Sequence, residues 1–86
     1  MPLAVNAFEF EVVTTDFLGI SRTWHFTVIA TDRKEVEEEI ASVMSMHDEV
    51  ENWKISRWIQ EEKLADNSPM AIDYKDKGCH SYFTAN

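Results

Sequence analysis

Val36, Ile40, Val43, Met44 and His47 follow one another at spacings of four, three, one and three. That is one stripe along a helix of 3.6 residues per turn. Asp32 stands where an N-cap belongs and Glu35 follows three residues later, the pattern of a capping box. Residues 32–47 are the only long, strongly helical segment in the chain. A lone amphipathic helix cannot bury its stripe against a sister helix. It needs a sheet with one apolar face.

The flanking sequence supplies candidate strands. Over residues 7–14, Phe8, Phe10 and Val12 alternate with Glu9, Glu11 and Val13. Over residues 22–30, Trp24, Phe26, Val28 and Ala30 alternate with Thr23, His25, Thr27 and Ile29. The short connection between them holds Gly19, free to take positive φ, so the two stretches form an antiparallel hairpin. Phe17, Leu18 and Ile20 make this loop unusually apolar. They are expected to cover one end of the core, the alternative being a contact tip. In this hairpin Glu11 and His25 come close on the outer face.

Residues 53–60 read as a third strand on their aromatic and β-branched content. A helix competes, because Ile55, Trp58 and Ile59 also have helical spacing. As a strand, Trp53, Ile55, Arg57 and Ile59 share one face and Trp58 lies on the other. Residues 61–67 leave the strand as polar, loosely helical or irregular chain. Asn67-Ser68-Pro69 is a turn signal. Residues 71–75 and 79–84 flank Asp76-Lys77-Gly78 as a terminal β-hairpin. The expected fold is therefore α+β: a β-β-α-β unit plus a terminal hairpin. It forms one mainly antiparallel sheet with one helix packed on one face. The helix stripe lies on Phe8, Phe10, Trp24, Phe26 and Trp53 or Ile55. Eighty-six residues make one domain, and the 44% hydrophobic and 12% aromatic content is enough for a core of this kind.

Charge narrows the partners. The net charge is −8. Direct binding to nucleic acid or to an anionic membrane surface is disfavoured, since phosphates are bound by Lys and Arg. Residues 35–52 contain seven acids (Glu35, Glu37, Glu38, Glu39, Asp48, Glu49 and Glu51) and no Lys or Arg. The lone cysteine, Cys79, rules out an intramolecular disulfide and suggests a reduced, cytoplasmic setting. The first residues lack a basic segment followed by an apolar run, so no secretory leader is expected.

Catalytic and metal motifs are not found. His25, His47, Cys79 and His80 are the strong nitrogen and sulfur ligands, and they form neither C-x-x-C nor H-x-x-x-H. No P-loop, G-x-G-x-x-G or G-x-S-x-G is present. Cys79 carries no local sign of activation. The expectation is a protein that is not an enzyme and that needs no cofactor or metal. A small enzyme or small-molecule binder remains a weaker alternative.

The acids then carry the functional expectation. Carboxylates spaced along a helix can approximate a row of phosphates and dock on an Arg/Lys surface, with fast and salt-sensitive association. Glu35, Glu38, Glu39, Asp48, Glu49 and Glu51 are the candidate contact residues. Trp58, on the outer sheet face, is the candidate aromatic anchor and Phe17 the second choice. In size, charge and absence of catalytic motifs the chain resembles small acidic phage-encoded anti-defence proteins, including anti-CRISPR proteins and DNA mimics. That resemblance implies an inhibitor that occupies the basic nucleic-acid-binding surface of a partner complex. The other class of expectation is a homo-oligomer, a dimer for instance, paired through strand edges or through an outer sheet face bearing His25, Ile29 and Trp58.

Overall fold

The computed structural model describes residues 4–85. Its elements run β1 (Asn6–Asp16), β2 (Ser21–Ala30), α1 (Arg33–Ser45), β3 (Val50–Lys63), α2 (Pro69–Lys77) and β4 (His80–Ala85). The four strands form one antiparallel sheet in the order β3-β1-β2-β4. The fold is α+β, with α1 packed across one face of the sheet.

The β1–β2 hairpin is in continuous register from Asn6↔Ala30 to Thr15↔Ser21. Its turn is held by Asp16. The Asp16 amide donates to the Ile20 carbonyl and the Gly19 amide donates to the Asp16 carbonyl, each at 3.0 Å. The Leu18 and Ile20 amides both donate to Asp16 Oδ1 at 2.9 Å. Gly19 sits at φ +82°, the left-handed position that closes such a turn. The expected burial of this loop does not occur. Phe17 and Leu18 are 68% and 84% exposed, and Ile20 is exposed as well. The tight turn continues the ribbon past the end of the sheet, so nothing lies beneath its side chains.

The α1 stripe lands as its spacing dictates. Asp32 Oδ1 accepts from the Glu35 amide at 2.8 Å, and Val36, Ile40, Val43 and Met44 are buried. They pack on Phe8, Phe10, Val12, Trp24, Phe26 and Val28. His47 extends the stripe, its ring 5.0 Å from that of Trp24. Thr14 is the one buried polar residue of this face, and its Oγ1 accepts from Trp24 Nε1 at 2.8 Å. A buried indole N–H is thereby satisfied.

Residues 53–60 are a strand, within a β3 that runs on to Lys63 rather than ending before Glu61. It pairs with β1 through three register shifts. Ser56 is skipped between the pairs Val12↔Ile55 and Glu11↔Arg57, and Ile59 between Phe10↔Trp58 and Glu9↔Gln60. Each extra residue reverses the parity of the side chains that follow. Trp58 therefore lies on the α1 side, not on the outer face where simple alternation placed it. Its ring is 6.1 Å from Phe8 and 5.1 Å from Phe10. Ile59 is the exposed residue instead.

The terminal hairpin is half right. Residues 79–84 do lead into a strand, β4, which pairs with β2 from Ile29↔His80 to Trp24↔Ala85. Residues 71–75, expected to be its partner strand, lie instead in the helix α2. Ser68 caps that helix by accepting from the Ala71 amide at 3.3 Å, with Pro69 in the first turn and Lys75 and Lys77 in the last. Gly78, at φ +87°, ends it and donates to the Tyr74 carbonyl at 2.7 Å. N-cap Ser, early Pro and terminal Gly are helix punctuation that also reads as loop punctuation. Ala71 of α2 packs with Val5 and Ile29, which point away from α1. Ala7, Leu64 and Tyr74 pack against this small cluster, and charged pairs lie further along the far face. His25 Nε2 lies 2.7 Å from Glu9 Oε2, and Arg57 Nε 3.0 Å from Glu11 Oε1. Glu11 and His25 are cross-strand partners in the ladder, as expected, but the carboxylate that meets the imidazole is that of Glu9.

The parity reversal has a measurable consequence. Trp58→Ala should lower stability by about 2–4 kcal/mol in urea unfolding, and Ile59→Ala by well under half of that. The opposite ranking would restore simple alternation in β3.

Candidate protein-binding surface

The acids that look alike in sequence divide into two sets by their surroundings. Glu35 and Glu39 lie four residues apart on the flank of α1 that faces α2 and β4. The Tyr74 hydroxyl donates to Glu35 Oε1 and Oε2, each at 2.8 Å. The Thr31 amide donates to Glu35 Oε1 at 2.9 Å. Ser81 Oγ donates to Glu39 Oε2 at 2.9 Å. These two carboxylates bind the helix to the C-terminal elements, and both are half-buried.

Cys79 stands beside them. Burial, and then the negative charges of Glu39 and Glu35, push its thiol from 9.0 to about 12. Tyr74 is also raised, first by burial and then by its hydrogen bond to Glu35. A thiol held protonated is a poor nucleophile at neutral pH. Among the described residues no group of three or more His, Cys, Asp or Glu side chains converges on a metal-sized site. The depressions beside His25, Tyr82, Phe83 and Thr84 (about 140 Å³) and beside Arg33, Trp58 and Gln60 (about 110 Å³) are open and small. Both are well below the roughly 300 Å³ at which ligand pockets begin.

Glu38, Asp48, Glu49 and Glu51 form the second set, and all are exposed. Among the described residues no Lys or Arg pairs with any of them, and Glu49 meets only His47, at 3.4 Å. Asp48, Glu49 and Glu51 flank Val50, which pairs with Asp16 at the base of the hairpin tip. Phe17 thus stands at the same end of the molecule as three of the acids. Leu18, Ile20 and the exposed Met46 at the end of α1 join it there. Alternation and helical spacing gave no sign of this group, because it is assembled by the α1–β3 connection meeting the β1–β2 turn. Trp58 is elsewhere. It is half-buried on the α1 side, with the Arg33 guanidinium 4.4 Å above its ring and Glu61 within 3.9 Å of that arginine. It is not a free anchor.

Compared with known proteins, the chain matches no family model, no curated relative and no solved structure. Among the described residues no helix is long and apolar enough to cross a membrane.

The Cys79 environment can be tested directly. Alkylation at pH 8 should run at least tenfold slower than for an exposed cysteine, and Glu39→Gln should accelerate it. Folding keeps a proton on Cys79 and Tyr74 that the unfolded chain releases earlier. The Cys79 contribution to stability is therefore complete below pH 9 and is lost as pH rises towards 12, and that of Tyr74 is complete below pH 10 and is lost above it. Rapid alkylation at pH 8 would contradict the arrangement.

Proposed function

We propose that this chain is a non-enzymatic binding protein that docks its acidic surface on a basic patch of a partner protein. In the most specific form, the partner is a nucleic-acid-binding complex whose phosphate-binding surface is occupied and inhibited, in the manner of anti-CRISPR and DNA-mimic proteins. The supporting observation is the set of exposed carboxylates at Glu38, Asp48, Glu49 and Glu51, which no lysine or arginine neutralises. Internal pairing would make them a structural feature of the fold. Left free, they project a negative field that steers a positively charged surface towards them.

Glu35 and Glu39 drop out of the contact set on this reading, because their oxygens are engaged by Tyr74, Thr31 and Ser81. Phe17 takes the anchor role in place of Trp58. An aromatic residue beside a ring of charges is the usual composition of a binding hot spot.

The test uses the tagged protein as bait in nuclease-treated bacterial lysate at low and high salt. The comparison is with Glu38→Lys/Glu49→Lys/Glu51→Lys. The wild type should retain a nucleic-acid-binding protein that salt releases, and the variant should associate with it at least tenfold more slowly while unfolding at an unchanged temperature. Equal retention by both proteins would remove the acidic surface from the explanation.

A further inference from the structure

The two edges of the sheet are built differently. β3, at one edge, is broken by three register shifts and carries six charged residues (Glu51, Lys54, Arg57, Glu61, Glu62 and Lys63). Bulges and edge charges are the devices by which sheets prevent a further strand from adding. β4, at the other edge, has none of them. Its sequence, His80-Ser-Tyr-Phe-Thr-Ala85, holds no Asp, Glu, Lys, Arg, Pro or Gly. It pairs with β2 through six consecutive residues without a shift. Its inner ladder is regular, so its outer edge presents an equally regular row of N–H and C=O groups. Tyr82 and Phe83 on this strand are 52% and 45% exposed.

We infer that the β4 edge is a self-association surface, where β4 of one copy pairs antiparallel with β4 of a second copy to give a continuous eight-stranded sheet. An antiparallel pair of identical strands is related by a two-fold axis normal to the sheet, so the contact is self-complementary and closes as a dimer. The same axis places both α1 helices on one side of the joined sheet. Head-to-tail growth, β4 of one copy on β3 of the next, is blocked by the bulges and charges of β3. A dimer rather than a fibre is therefore what these two edges permit. Tyr82 and Thr84 lie on the far face from α1, in register with Thr27 and His25, and line the seam on that side. The earlier expectation of a paired sheet face bearing His25, Ile29 and Trp58 is a different contact. It fails on geometry, since Ile29 is buried and Trp58 is on the α1 side.

The dimer has a distinctive salt response. Each copy carries a net charge of −8, and pairing brings two acidic helices to the same side. Screening that repulsion strengthens the dimer, whereas it weakens an acidic surface bound to a basic partner. The two associations can therefore be told apart in one titration.

The experiment is sedimentation velocity on the full chain from low to high micromolar concentration, at low and high salt. It is run beside Tyr82→Lys/Thr84→Lys, which adds like charges along the seam and leaves the Phe83 contacts untouched. The expected result is a species of twice the chain mass that salt favours, weakened at least tenfold in the variant at unchanged thermal stability. Amide exchange on the wild type gives an independent reading: β4 protection should rise with concentration and β3 protection should not. A wild type that stays monomeric at high concentration and high salt would overturn the proposal. So would a dimer that the double lysine leaves intact, or β4 exchange independent of concentration.

Discussion

The fold depends on a single contact, the α1 stripe lying on the aromatic face of the sheet. Val36, Ile40, Val43 and Met44 meet Phe8, Phe10, Val12, Trp24, Phe26 and Val28, and nearly all of the large buried side chains belong to this one layer. A chain this short buries a modest fraction of its surface, so it concentrates apolar area rather than spreading it. At about 1.5–3 kcal/mol for each fully buried side chain, losing the helix from the sheet would remove most of the favourable energy of folding. The other elements are placed by this contact. β3 turns both Trp58 and Ile55 to the α1 side of the sheet, and α2 is linked back to α1 by Tyr74.

The legible parts of the fold are those where one local period coincides with one tertiary environment. β1, β2 and α1 meet that condition, and their spacing gives their faces directly. β3 does not, because bulges at Ser56 and Ile59 are answered by the partner strand and leave no sign in the local alternation. Simple alternation puts Trp58 on the wrong face for that reason. α2 fails differently. With one buried residue, Ala71, it has almost no apolar stripe to detect, and its caps are made of the same residues that make turns. Ser68 three residues before Ala71, Pro69 after it and Gly78 beyond Lys77 were the available signal. The apolar alternation of residues 71–75 outweighed them.

The candidate surface was legible as composition but not as geometry. Seven acids within residues 35–52, a stretch that holds no Lys or Arg, are plain in the sequence. Which of them are free is not, because it depends on hydroxyl groups contributed from 39 and 42 residues further along the chain, at Tyr74 and Ser81. A carboxylate that accepts from two or three donors has its charge stabilised within the fold, and it has fewer lone pairs to offer a partner. Glu35, which accepts from Tyr74 and Thr31, is an acid of that kind, and Glu39 is held by the single hydroxyl of Ser81. Burial, reinforced by the same charges, holds Cys79 protonated, so one cluster both links α2 and β4 to α1 and helps to suppress the only thiol.

Charge and strand edge together impose a division of labour on this small molecule. Acids are found on β1, α1, the α1–β3 connection, the β3 edge and α2, whereas β4 carries none. Had charge been needed only to keep the chain in solution, the exposed edge strand would be the place to put it, since that is where unwanted pairing starts. The opposite distribution is found: β3, already bulged, carries six charged residues, and β4, regular and open, carries none. An edge that is both regular and neutral is tolerated where its pairing is finite. A two-fold contact is finite in a way that head-to-tail addition is not. The acidic helices limit that pairing further, because bringing two of them together costs energy that only salt or a basic partner relieves.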